Sequence, residues 1–190
     1  SSLDSSVKAL SSDETFFRCV YDDYMRLISK VTWKINKSDK TSSVFLKEEF
    51  FYKDNSLLPF QSNENNLESN TLVKNYFSVS GLLEKKEKYD LSSEEEKLLA
   101  KDFFVYNTEG KLLEKELSVF DKDGNKTTER FVLQHPGSER SGYDYYKNDV
   151  LLRSVKYTSE TNYSQKIFFD SENSVLSVYE NGMLVDEVFS

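Results

Sequence analysis

The chain lacks most of the residues that build covalently stapled or multi-ligand sites. Its 190 residues include one cysteine, one histidine and two prolines. The single cysteine, Cys19, excludes a disulfide framework within the chain. The single histidine, His135, excludes any centre built on two imidazoles. Basic residues are outnumbered 25 to 33, for a net charge of −8. That balance excludes a broad electrostatic nucleic-acid interface. No stretch approaches the ~18 apolar residues of a membrane-spanning helix. There is no Gly-x-Ser-x-Gly elbow, phosphate loop or dinucleotide fingerprint.

The remaining chemistry is sparse. His135 precedes Pro136 in a Pro-Gly turn. Cys19 sits among Phe16, Phe17 and Val20 and reads as a small apolar residue. A Cys19–His135 nucleophile pair is not barred by sequence distance, but nothing else supports one. Asp121-Lys122-Asp123-Gly124-Asn125 opens like a calcium loop, yet its glycine is fourth rather than sixth, and Arg130 and Phe131 stand further along. It reads as a hairpin turn. The 33 acidic residues allow many carboxylate pairs and single out none. The expectation is a protein that is not an enzyme and uses no metal or cofactor.

What the chain has is aromatic residues, 14% of its length, with 14 Phe and 12 Tyr. These favour strands and bury large areas. They recur in one pattern: an aromatic, a few polar residues with Gly, Asn or Asp, then an aliphatic. Examples are Tyr52 to Leu57, Phe77 to Leu82, Tyr106 to Leu112, Phe120 to Asn125, Tyr146 to Leu151, Phe169 to Val175 and Tyr179 to Leu184. Hairpin turns need positive φ, which Gly, Asn and Asp reach cheaply. The aromatic closes one strand and the aliphatic opens the next, so the two pack across the hairpin.

The spacing predicts a mainly β fold, a sequential antiparallel meander of ten to twelve strands in a curled sheet or half-barrel. The strands fall near 26–36, 43–53, 71–79, 82–90, 103–106, 111–120, 125–134, 143–147, 151–158, 163–169, 175–179 and 183–189. Residues 61–70 read as a polar loop. Two helices are expected. An N-terminal one, over 13–24, follows the capping pattern Ser11 to Glu14, with Phe17, Val20 and Tyr24 at helical spacing. A short internal one, over 92–101, has Glu94-Glu95-Glu96 at its start and Lys101 at its end. Residues 1–12 form a flexible tether, and 13–190 form a single β-rich domain with room for a subdivision near 91–102.

The segments Phe120-Asp121-Lys122-Asp123-Gly124-Asn125, Tyr106 to Leu112 and Tyr179-Glu180-Asn181-Gly182-Met183-Leu184 resemble the bacterial YD/RHS repeat. They are also similar to the MORN-like hairpin repeats of antitoxin-type proteins. The resemblance implies a bacterial, hairpin-built sheet serving as a scaffold or interaction surface, and it brings no catalytic residue with it.

Tyr143, Tyr145 and Tyr146, with Tyr157 and Tyr163, form the densest aromatic group. Tyr143 and Tyr145 share a strand face. Such residues either pack across strands or expose a strip that stacks on a sugar, a peptide or a protein. Tyr143, Tyr145 and Tyr157 are the candidate binding residues. The Ser-rich start, Ser1-Ser2-Leu3-Asp4-Ser5-Ser6, suits the tether of an exported lipoprotein. The expected function is therefore a binding or scaffold protein of the bacterial envelope, at the periplasm or cell surface, touching membrane only through a lipid anchor. The alternative is a carrier of an apolar ligand or lipid in a curled-sheet cavity. The partner is accordingly a protein or an apolar ligand.

Overall fold

The computed structural model describes residues 15–36, 41–134 and 142–190. The tether, the Ser11–Glu14 capping pattern and His135 lie outside the described residues. Among the described residues fourteen strands follow one another: β1 (Thr15–Tyr21), β2 (Leu27–Ile35), β3 (Ser42–Phe51), β4 (Gln61–Asn66), β5 (Thr71–Phe77), β6 (Leu83–Asp90), β7 (Lys97–Tyr106), β8 (Leu112–Phe120), β9 (Lys126–Leu133), β10 (Tyr143–Lys147), β11 (Val150–Tyr157), β12 (Tyr163–Phe168), β13 (Ser174–Glu180) and β14 (Met183–Phe189). Strand order in the sheet is chain order, and the described pairings are antiparallel. The fold is the mainly β, sequential antiparallel meander that the turn pattern predicts.

The chain divides into two compact units, Ser1–Leu99 and Ala100–Ser190, with the division inside β7. The first unit carries β1–β6. The second carries the rest of β7 and β8–β14.

Neither expected helix forms. Residues 15–21 are β1. The run Thr15-Phe16-Phe17-Arg18-Cys19-Val20-Tyr21 is almost wholly β-branched, aromatic or cysteine, and β2 supplies a partner for it. The Phe16 ring stacks on Trp33 of β2 at 5.0 Å, nearly parallel. Tyr24, which completed the helical spacing, lies in the turn beyond β1. The internal helix fails for a different reason. Asp90 Oδ1 accepts a hydrogen bond from the Ser92 amide at 2.9 Å, and Ser93 Oγ donates to the Glu95 carbonyl at 2.9 Å. Short polar side chains thus hold the backbone in bends in place of a helical turn. Residues 97–101 then enter β7.

The expected polar loop at 61–70 is also corrected, because residues 61–66 form β4. Gln61-Ser62-Asn63-Glu64-Asn65-Asn66 has no apolar alternation to announce a strand. It pairs along its length with both β3 and β5, so backbone hydrogen bonds and amide contacts such as Asn75 Nδ2 to Ser62 Oγ hold it.

Four turns share one build. In each, a polar side chain at the first turn residue accepts from the amide four residues on: Asp22 from Arg26, Ser78 from Leu82, Asn107 from Lys111 and Asp121 from Asn125. The fourth residue of each turn has positive φ: Met25, Gly81, Gly110 and Gly124. An aromatic precedes each turn, and three of these stand directly opposite a leucine: Tyr21 with Leu27, Phe77 with Leu83, and Tyr106 with Leu112. The turn at Asp121 therefore spends its carboxylate on the chain's own amides, as a hairpin turn does.

Few apolar side chains are buried. Among the described residues these are Leu72 in the first unit and Val155 and Val175 in the second, at 9, 3 and 7% exposure. Within each unit the described strands touch only their sequence neighbours, so each is a single layer of sheet. Stabilisation then rests on ladder hydrogen bonds and cross-strand pairs rather than on a core between layers. Lysine ammonium groups lie over many half-buried rings. Lys85 Nζ lies 3.7 Å from the centre of the Tyr76 ring, and Lys166 Nζ 5.1 Å from that of Phe168.

Candidate binding face on the second unit

Register places the three predicted tyrosines on one face of the second unit. Tyr143 stands opposite Leu133 of β9 and Val155 of β11, and Tyr145 opposite Phe131 and Arg153. Tyr157, two residues beyond Val155, pairs with Tyr163 of β12, which in turn pairs with Tyr179 of β13. Directly opposed residues of an antiparallel pair share a face, so these side chains lie on one surface.

That surface holds two aromatic groups. In the first, Phe131 packs between the two β10 tyrosines, with its centroid 4.9 Å from Tyr145 and 6.1 Å from Tyr143. The rings are tilted to Phe131 by 34° and 54° respectively. In the second, Tyr157, Tyr163 and Tyr179 form a ladder with centroids 5.5 and 4.4 Å apart, the second pair nearly parallel. Val155, almost fully buried, lies opposite Tyr143 and two residues before Tyr157. The structure thus brings Tyr143 and Tyr145 into one cluster and puts Tyr157 in the neighbouring ladder.

The Phe131 cluster borders a depression of about 220 Å³, lined by Glu129, Phe131, Tyr143, Tyr145 and Arg153. Burial pushes the Tyr145 phenol up. The nearby Glu129 charge and a hydrogen bond to its carboxylate push the same way, against an opposing effect of Arg153. Arg153 is exposed. Gly142 fixes the approach of β10 to β11. A Cβ there would lie 2.6 Å from the Val155 carbonyl oxygen and 2.9 Å from Gln134 Oε1, so a side chain would push Tyr143 and its strand away from β11.

Phe131, Glu129 and Arg153 complete the site and were not picked out in the sequence. Their spacing from Tyr145 depends on the register of β9 against β10 across the 134–142 connection, which a sequence cannot count. The usable signals were Phe131 alternating with Arg130 and Val132, and a glycine immediately before Tyr143.

The first unit holds a different polar cluster. Glu87, 8% exposed, accepts at one carboxylate oxygen from Tyr76 and Tyr89, each at 3.1 Å. Its other oxygen meets Lys85 Nζ at 3.2 Å. Burial raises its carboxyl, but the bonds from Lys85, Tyr76 and Tyr89 outweigh it and hold it below its ordinary value. Burial and the Glu87 charge push the Tyr89 phenol up to about 12. Tyr76, Tyr89 and Lys85 all stabilise its charged form, so the cluster acts as a structural tie. Among the described residues no group of three His, Cys, Asp or Glu side chains is placed to hold a metal ion. Cys19 is half-buried on β1; its conjectured partner His135 is outside the described residues.

No protein-family model matches the chain, and no curated protein matches it in sequence.

Proposed function

We propose that the chain is a non-enzymatic binding protein of the bacterial cell envelope, and that it recognises its partner through the aromatic face of β9–β13. The hairpin motifs similar to YD/RHS and MORN-like repeats support an interaction scaffold. One observation carries the reading: a single sheet layer keeps two aromatic groups on one face, and among the described residues no other strand of their unit stacks over them. Aromatic side chains left at a surface are the usual anchors of recognition.

Photo-crosslinking tests it. A crosslinking amino acid at position 145 or 157 should trap a partner in the native cell, whereas one at position 146 or 156, on the opposite face, should not. Equal yields from both faces, or none from 145 and 157, would refute the assignment. The second reading is a sheet that curls around an apolar ligand. It is favoured by a depression of about 270 Å³ in the first unit, lined in part by Leu58, Pro59, Phe60, Phe77 and Val79. A carrier would bind one equivalent of an apolar fluorescent dye while folded, and Leu58→Asp would abolish that binding.

A further inference from the structure

The Phe131 cluster is a cup rather than a platform. Tilts of 34° and 54° between Phe131 and its two tyrosines keep the three rings from forming one common plane. Three aromatic rings instead line the hollow, and aromatic π surface attracts a desolvated cation. At about 220 Å³, the hollow is smaller than the ~300 Å³ lower bound of drug-sized sites and suits a compact head group.

Its rim carries two opposite charges. Glu129 lies two residues from Phe131 on the same strand face, its carboxylate hydrogen-bonded by Tyr145. Arg153 stands directly across from Tyr145 on the other side. Among the described residues neither Arg153 nor Glu129 is in an ion pair. Lys147 is opposite Glu129 in the strand register and is exposed. A lone cation would satisfy the rings and Glu129 but meet repulsion from Arg153. A lone anion would satisfy Arg153 and meet repulsion from Glu129. A ligand carrying both charges a short distance apart satisfies every group.

We propose that this cup binds a quaternary ammonium bearing an anionic group on a short spacer, the chemistry of phosphocholine. The ammonium sits against Phe131, Tyr143 and Tyr145 and faces Glu129, while the phosphate takes the Arg153 guanidinium, which suits a two-pronged contact with phosphate oxygens. The assignment rests on reading this face as a binding surface, and it specifies the group the face recognises.

Isothermal titration of the full chain with phosphocholine, choline and inorganic phosphate tests it. Phosphocholine should saturate one site, with choline weaker by roughly tenfold for want of the Arg153 contact and inorganic phosphate showing no saturation. Arg153→Gln should bring phosphocholine down to the affinity of choline. Glu129→Gln should weaken both by a similar factor. Circular dichroism confirms that the variants fold, and Arg153, being exposed, tolerates the change. Phosphatidylcholine vesicles supply the last arm: competition with phosphocholine marks a lipid head group as the source, and its absence marks a soluble or polymer-borne one. No saturable phosphocholine binding would overturn the assignment, as would equal affinity for inorganic phosphate or indifference to Arg153→Gln. Face-specific crosslinking surviving that result would show that the ligand class failed and the binding face did not.

Discussion

Single residues decide much in a sheet without a buried middle, because each turn and each cross-strand pair is a large share of the local stability. Met25 shows this at a turn. It occupies with φ 61° the place that Gly81, Gly110 and Gly124 fill in the sister turns. A side chain in the left-handed region costs about 1 kcal/mol. Met25→Gly should therefore stabilise the protein by roughly 0.5–1 kcal/mol, read as a melting temperature higher by about 2–3 °C. Gly124 is the converse case. Nothing lies within 4 Å of a Cβ built there, so Gly124→Ala tests backbone conformation alone and should cost about 1 kcal/mol. The Glu87 cluster sets a pH window. Its carboxyl is held below the ordinary 4.5, so its contribution is complete above about that value and is lost as pH falls through the lower folded value. The Tyr89 phenol, raised from 10.0 to about 12, contributes fully below its ordinary value and loses that contribution as pH rises between the two. Urea midpoints measured across pH should form a plateau between these limits, and Glu87→Gln should flatten the acid limb.

At the level of elements, the hairpins show what the sequence makes legible. The aromatic–turn–aliphatic pattern located most strands because the turn chemistry is local: a carboxylate, amide or hydroxyl bonds an amide four residues on, and a positive φ follows. β1 and β4 were missed for opposite reasons. In β1, Phe17, Val20 and Tyr24 happen to fall at helical spacing, and the turn that ends the strand uses Met25 where its sisters use glycine. In β4, polar residues on both faces erase the alternation that marks a half-buried strand, since no core demands it. The candidate face was legible only in its β10 and β11 members, since Glu129 and Phe131 join through a register that no local signal sets. Gly142 ties element to site. Gly142→Ala should force β10 away from the Val155 carbonyl and destabilise the protein by roughly 1–3 kcal/mol. Amide exchange should then speed up in β10 and β11 before it does in β8.

For the whole molecule, a chain-order meander makes strand-to-strand neighbours the unit of stability and leaves large apolar side chains to other uses. Conventional domains bury their aromatics between layers. Here the aromatic groups of β9–β13 sit on one layer, and their proposed role is recognition. Replacement of Tyr143 and Tyr145 together by serine, followed by thermal unfolding and partner crosslinking from position 157, tests that claim most directly. The expected result is a chain that still unfolds cooperatively, with its strand content intact, and no longer captures its partner. A variant that fails to fold would make the tyrosines structural and overturn their proposed role in recognition, and so would a folded variant that still binds.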